Sequence, residues 1–316
     1  MKTDAREKAQ LPEETGKGGE FERQTSAFRE WVSADGTTDH PAASGRYHLY
    51  VSLACPWAHR TILARKLLGL EDVLTMTVVD PIRDERGWRF REGEPDRVNG
   101  FEFLSEAYRA TDPDFDQRVS VPVLWDRETS RIVNNESAEI LRMLEIEFAA
   151  FHQSELDLYP HALREEIDAL NEHVYESINN GVYKAGFATT QSAYEAAYDR
   201  LFDALDGLEA RLTDRRYLLG ERLTETDLRL FTTLIRFDAV YHGHFKCNAR
   251  KITEYPALWG WLRDVYQVPG VASTVDFDHI KRHYHLTHER LNPAGLVPKG
   301  PVLELDTAHG RENLGR

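Results

Sequence analysis

The feature that most constrains this chain is the junction at Cys55-Pro56, which an alternating apolar stretch (Tyr47 to Leu53) enters and a helical run reaching Leu70 leaves. Proline at the first helical position has no amide proton to lose and a φ already set for the turn. The pattern therefore predicts a strand over 46–53, a helix over 57–70 and Cys55 at the helix cap. Val73 to Val79 is rich in β-branched residues and predicts a second strand. Strand, helix, strand implies a parallel pair with a right-handed crossover. Cys55 then lies beside the unpaired N–H groups of a helix start, where negative charge is stabilised and thiol pKa values fall below the free value of roughly 8.5. It is a candidate thiolate nucleophile; the alternative is a small buried cysteine that happens to precede a helix.

Residues 81–120 interrupt this pattern without clear periodicity while carrying Trp88, Phe90, Phe101, Phe103 and Tyr108. Loops of that length inside a compact domain are usually functional or mobile. Val121 to Trp125 and Arg131 to Val133 flank a polar turn and predict a hairpin, and Asn134 to Ser137 opens a helix running to about Phe148. From Ala162 the pattern changes to long helical segments over 162–178, 191–212, 226–241 and 257–265. Thr224 and Asp227 have the spacing of a capping box. Residues 1–20 are polar and aperiodic and read as a mobile arm, with order beginning near Phe21 and with Phe28 and Trp31 as apolar anchors. The division expected is a first domain over 21–155, a helical domain over 156–291 and an extended tail over 292–316. The fold class is α/β plus all-α.

Composition sets the setting. Lys and Arg number 39 against 53 Asp and Glu, a formal net charge of −14, which argues against nucleic acid or an anionic membrane as partner. No stretch approaches the ~20 apolar residues of a membrane helix, and the first residues are charged where a signal peptide would be apolar. Two cysteines, Cys55 and Cys247, do not make a disulfide framework. The chain reads as cytoplasmic.

A βαβ unit followed by ββα is the order of a thioredoxin-like domain, and with Cys-Pro at its first helix and an all-helical second half the chain resembles the glutathione transferase fold. Further stretches are similar to the glutathionyl-hydroquinone reductases, or Xi class: Phe21 to Trp31, Cys55 to Arg60, Gly87 to Phe90, Val121 to Val123, Asn134 to Ala138, Asn179 to Phe187, Arg236 to Tyr241, and the tail from His283 through Asn292-Pro293 and Val297-Pro298. The resemblance implies glutathione as cosubstrate, a homodimer, and reduction of S-glutathionyl-hydroquinones through a Cys55 mixed disulfide. The acidic balance leaves open another small thiol in place of glutathione.

Residue by residue, the resemblance implies that Val121-Pro122 is a cis bond aligning the Val121 backbone with a bound thiol, and that Glu136 and Ser137 hold the γ-glutamyl end at a helix start. Trp88 matches the thiol-binding tryptophan. Tyr183 and Tyr284 match the pair nearest the chemistry, with Tyr241 as a further substrate-binding tyrosine. His279 and His283 stand at the helical i, i+4 spacing of a metal pair, but no carboxylate motif accompanies them; no metal is expected, with His279, His283, His285 and His288 read as walls and packing and Cys247 as structural. Two alternatives stay open. An Omega-like thioltransferase or dehydroascorbate reductase would use the cysteine without the tyrosine set, and a non-catalytic interaction protein would need neither.

Overall fold

The computed structural model describes residues 14–84 and 86–314. In chain order the elements are β1 (Val32–Ser33), β2 (His40–Pro41), β3 (Tyr47–Val51), α1 (Pro56–Leu67), β4 (Thr75–Val78), α2 (Leu104–Thr111), β5 (Val123–Asp126), β6 (Arg131–Asn134) and α3 (Ser137–Ile146). They continue as α4 (Arg164–Val174), α5 (Gly181–Gly186), α6 (Gln191–Arg211), α7 (Glu225–Arg236), α8 (His242–His244), α9 (Pro256–Gln267) and α10 (Phe277–Thr287). The chain forms two compact units, one of Gln24–Leu156 with Thr274–Glu289, the other of Asp157–Ser273 with residues 14–23 and 290–314.

In the first unit the sheet order is β4-β3-β5-β6. β3 pairs β4 in parallel, from His48 opposite Thr75 to Val51 opposite Val78, and β5 in antiparallel. Every residue of β3 and β5 is buried, as central strands require. α1 ends where Leu70 N–H donates to the Arg65 carbonyl at 2.8 Å, a closure that places Gly69 at φ +68. A Cβ at Gly69 would also lie 2.7 Å from Gln153 Cβ, so glycine is required twice over. Phe28 rests on the rings of Tyr108 and Phe115, and Trp31 Nε1 donates to Glu147.

The 81–120 interruption is more ordered than its sequence suggests. It contains α2, begun by Glu106, whose carboxylate accepts the amides of Glu102 and Phe103 at 2.8 Å each. Ahead of α2, Asp96 accepts Tyr50 Oη at 3.1 Å and the amides of Val98, Asn99 and Phe101. Phe90 N–H donates to the Glu102 carbonyl at 3.0 Å and Leu104 N–H to the Trp88 carbonyl at 2.9 Å. The sequence shows no period because the loop is held by polar side chains and single bridges.

His48 on β3 is 2% exposed, with its ring nitrogens 2.7 and 2.9 Å from the Thr75 and Thr77 hydroxyls. Burial pushes its pKa down to about 4. An unfolded histidine titrates near ~6.5, so between those values the unfolded state binds the extra proton and native stability falls as pH falls. His48 is expected to remove up to about 3 kcal/mol of stability between pH 7 and pH 4, levelling below. Denaturant unfolding of the parent and His48→Gln across that range checks this; parallel curves would rule it out.

In the second unit the capping box at α7 is present: the Asp227 carboxylate accepts the Thr224 amide at 3.0 Å and its hydroxyl at 3.1 Å. It also takes the Leu218 amide and Trp261 Nε1, 2.9 Å each, tying α7 to α9. Two π-helical segments, Tyr175–Asn179 and Phe237–Tyr241, follow α4 and α7. Asn179 Nδ2 donates to the Arg229 carbonyl at 2.9 Å and Thr233 Oγ1 at 2.7 Å. Such bulges recur at functional sites.

Several boundaries differ from the sequence reading. The mobile arm was expected over 1–20; residues 1–13 lie outside the described residues, but 14–20 are bound, with Thr189 N–H donating to the Gly19 carbonyl at 2.8 Å and Thr190 Oγ1 to that of Gly18 at 2.7 Å. α10 falls inside the expected helical domain over 156–291 yet belongs to the first unit, because His283 Nδ1 bonds the Pro81 carbonyl at 2.8 Å and Thr274 Oγ1 bonds His59 Nε2 at 2.8 Å. In the tail, residues 294–302 are exposed, and anchoring comes later: Gln267 Nε2 donates to the Leu305 and Thr307 carbonyls at 2.7 Å each. Buried Arg311 donates to the Leu212 carbonyl at 2.8 Å. Among the described residues no helix is long and apolar enough to cross a membrane.

Candidate active site

Cys55 occupies the cap position of α1 with extended backbone (φ −79, ψ 122), followed by Pro56 at the first helical position. It is partly exposed. Its Sγ lies 3.6 Å from the Val121 carbonyl oxygen, as a thiol donating to it would. The Val121-Pro122 bond is cis. The Cys55 side chain makes no cap hydrogen bond, and the residue stands at the positive end of α1. Arg60 adds a buried cation in the next turn, with its guanidinium 4.7 Å from the Trp57 ring centroid. Cys247, by contrast, is fully buried in the second unit, and burial pushes its thiol pKa far up.

Glu136 is the N-cap of α3: its carboxylate accepts the Ala138 amide at 3.2 Å and the Ser26 hydroxyl at 2.9 Å. Ser137 Oγ reaches the same carboxylate at 3.5 Å. The plain capping role is therefore present, and with it an acidic group, a hydroxyl and helix-start amides in one place.

Trp88 is 3% exposed and stacks on His283 at 5.0 Å and 20°, with the Arg83 guanidinium 5.2 Å from its ring. Its Nε1 has no acceptor among the described residues, which leaves a buried donor for a bound group. On α10, Tyr284 is 1% exposed and held edge-on between His283 (5.3 Å) and His288 (5.5 Å). Cys55, Trp88, Val121, Pro122, Glu136, Ser137 and Tyr284 all belong to the first unit, where contacts join Cys55 to Val121, Glu136 to Ser137, and Trp88 to Tyr284 through His283.

Tyr183 and Tyr241 belong to the second unit, their rings 6.0 Å apart. Tyr183 stands on α5 against Phe21, Phe187 and Phe245; Tyr241 ends the second π segment and stacks on Phe245 at 5.4 Å and 16°. Sequence reasoning missed Arg83 and Arg23, whose guanidinium covers Tyr183 at 4.7 Å. Arg23 lies within the Phe21 to Trp31 stretch that carries the resemblance, but an arginine laid over a ring leaves no periodic or motif signal of its own at either position. His283 was expected only as a wall; its stacking depends on the loop that brings Trp88 to α10.

The family model for the glutathione S-transferase N-terminal domain matches residues 54–146, and that for the C-terminal domain matches 191–264. The chain is 50% identical over 305 residues to the glutathionyl-hydroquinone reductase YqjG of Escherichia coli, covering 93% of each. Among solved structures it resembles a Xi class transferase from Natrialba magadii with a TM-score of 0.90 and 50% identity, over 92% of this chain and 90% of that one. The glutathione-bound structure of YqjG matches with a TM-score of 0.88 and 50% identity, over 91% of this chain and 96% of that one.

Proposed function

The chain belongs to the glutathionyl-hydroquinone reductases, the Xi class of the glutathione transferase superfamily, and on that premise we propose that it reduces S-glutathionyl-hydroquinones to hydroquinones with glutathione, through a mixed disulfide on Cys55. The observation that supports this most is the Cys55 thiol at the start of α1, 3.6 Å from the Val121 carbonyl.

Cys55 as thiolate attacks the sulfur of the thioether. The new S–S bond forms as the carbon–sulfur bond breaks, and the electron pair passes to the ring carbon, which takes a proton. A carbanion is a poor leaving group. In this reading phenol O–H groups of Tyr183 and Tyr284 donate to the ring oxygens, making the dienone-like tautomer reachable and spreading the developing charge. Tyr241 supports the aromatic ring. A second glutathione, as thiolate, then attacks the mixed disulfide, releasing oxidised glutathione and restoring Cys55. Trp88 Nε1, the Val121 backbone and the Glu136-Ser137 helix start bind the tripeptide, supported by the orphan indole donor and by the carboxylate and hydroxyl at α3. A homodimer working in the cytoplasm completes the proposal.

Turnover of a glutathionyl-hydroquinone with glutathione, run beside the same assay with other small thiols, tests the reading; no hydroquinone with any thiol would overturn it. As a narrower check, oxidised glutathione is expected to add a single glutathione to the protein, at Cys55. Peptide mass spectrometry decides this, and modification chiefly at buried Cys247 would contradict the assignment.

A further inference from the structure

Arg23 ends the N-terminal segment of the second unit, and that segment is fastened in place by the bonds from Thr189 and Thr190 to Gly19 and Gly18. Its Nε donates to Asn180 Oδ1 at 2.8 Å, and Asn180 is the residue immediately before α5, which carries Tyr183. This anchor sets the guanidinium carbon 4.7 Å from the Tyr183 ring centroid and 5.2 Å from that of Phe21. Rings around Tyr183 include Phe21, Phe187, Tyr241 and Phe245. Of the ionisable groups nearby, Tyr241 faces it at 6.0 Å, Lys184 is paired with Glu176, and His244 packs on Phe245. A fixed cation over a buried phenol ring is attracted to the ring face, stabilises negative charge developing on the oxygen, and makes the O–H a stronger donor.

We propose that Arg23 is a positioning residue for Tyr183: pinned by Asn180, it orients the phenol ring and strengthens its O–H as a donor to the hydroquinone oxygen. This rests on the reductase reading above and adds to it a specificity element from the N-terminal segment, a part of the chain outside both matched family domains.

The experiment is a double-mutant cycle on the full-length protein, reading the rate of glutathionyl-hydroquinone cleavage relative to that of a simple glutathione disulfide. Arg23→Gln is expected to lower that ratio roughly tenfold, the scale of one desolvated cation–π contact. Arg23→Lys keeps the charge and should recover most of the loss. In a Tyr183→Phe background Arg23→Gln should cost nothing further, because the effect passes through the phenol. Equal losses for Arg23→Gln in both backgrounds, or no rescue by lysine, would reduce Arg23 to a packing residue and overturn the inference. If Tyr183→Phe alone leaves the ratio unchanged, the tyrosine reading itself fails. Arg23→Met, neutral but retaining the apolar stem against Phe21, substitutes if the glutamine variant melts early.

Discussion

Cys55→Ser is expected to fold and melt like the parent and to yield no hydroquinone above the protein-free rate. Serine is at home at a helix N-terminus, and the Cys55 side chain makes no cap bond that could be lost. What disappears is the ionisable sulfur. A hydroxyl is hardly ionised near neutral pH, and no S–S intermediate can form on oxygen. Matching melting curves together with measurable thioether turnover by the serine variant would remove Cys55 from the mechanism.

Tyr284→Phe and Tyr183→Phe are each expected to slow thioether cleavage by roughly 100- to 1000-fold, the ~2.7–4 kcal/mol lost when one donor facing developing charge is removed. The ring stays in each case: Tyr284 keeps its edge-on contacts with His283 and His288, and Tyr183 its contacts with Phe187 and Phe245. Only the hydroxyl is lost. Cleavage of a simple disulfide should scarcely change, because a thiolate leaves without help from a phenol. The two substrates measured on one variant separate a hydroquinone reductase from a general thioltransferase. Equal losses on both, or none on the thioether, would take the tyrosines out of the chemistry and favour the Omega-like alternative.

What the sequence alone determined is local. β3, Cys55-Pro56, α1 and β4 follow from patterns of period 2 and 3.6 and from a proline whose geometry is intrinsic, and the Thr224–Asp227 cap follows from a four-residue spacing. Resemblance then pointed to Trp88, Glu136 and the tyrosines without saying what surrounds them. The tertiary structure decided what depends on distant partners. α2 is a local exception: eight residues long, too short for its period to stand out, it is capped by Glu106 on the amides of Glu102 and Phe103. Residues 14–20 carry no pattern of their own and are ordered by hydrogen bonds to Thr189 and Thr190. α10 looks like one more helix of a helical half, yet a carbonyl at Pro81 and a histidine at position 59 draw it into the unit that contains Cys55. Arg23 meets Asn180, 157 positions along the chain, and the Tyr183 ring only once the chain has folded. Short-range sterics are encoded by neighbours in the chain, whereas a single side chain meeting a partner more than a hundred residues away leaves no periodic trace.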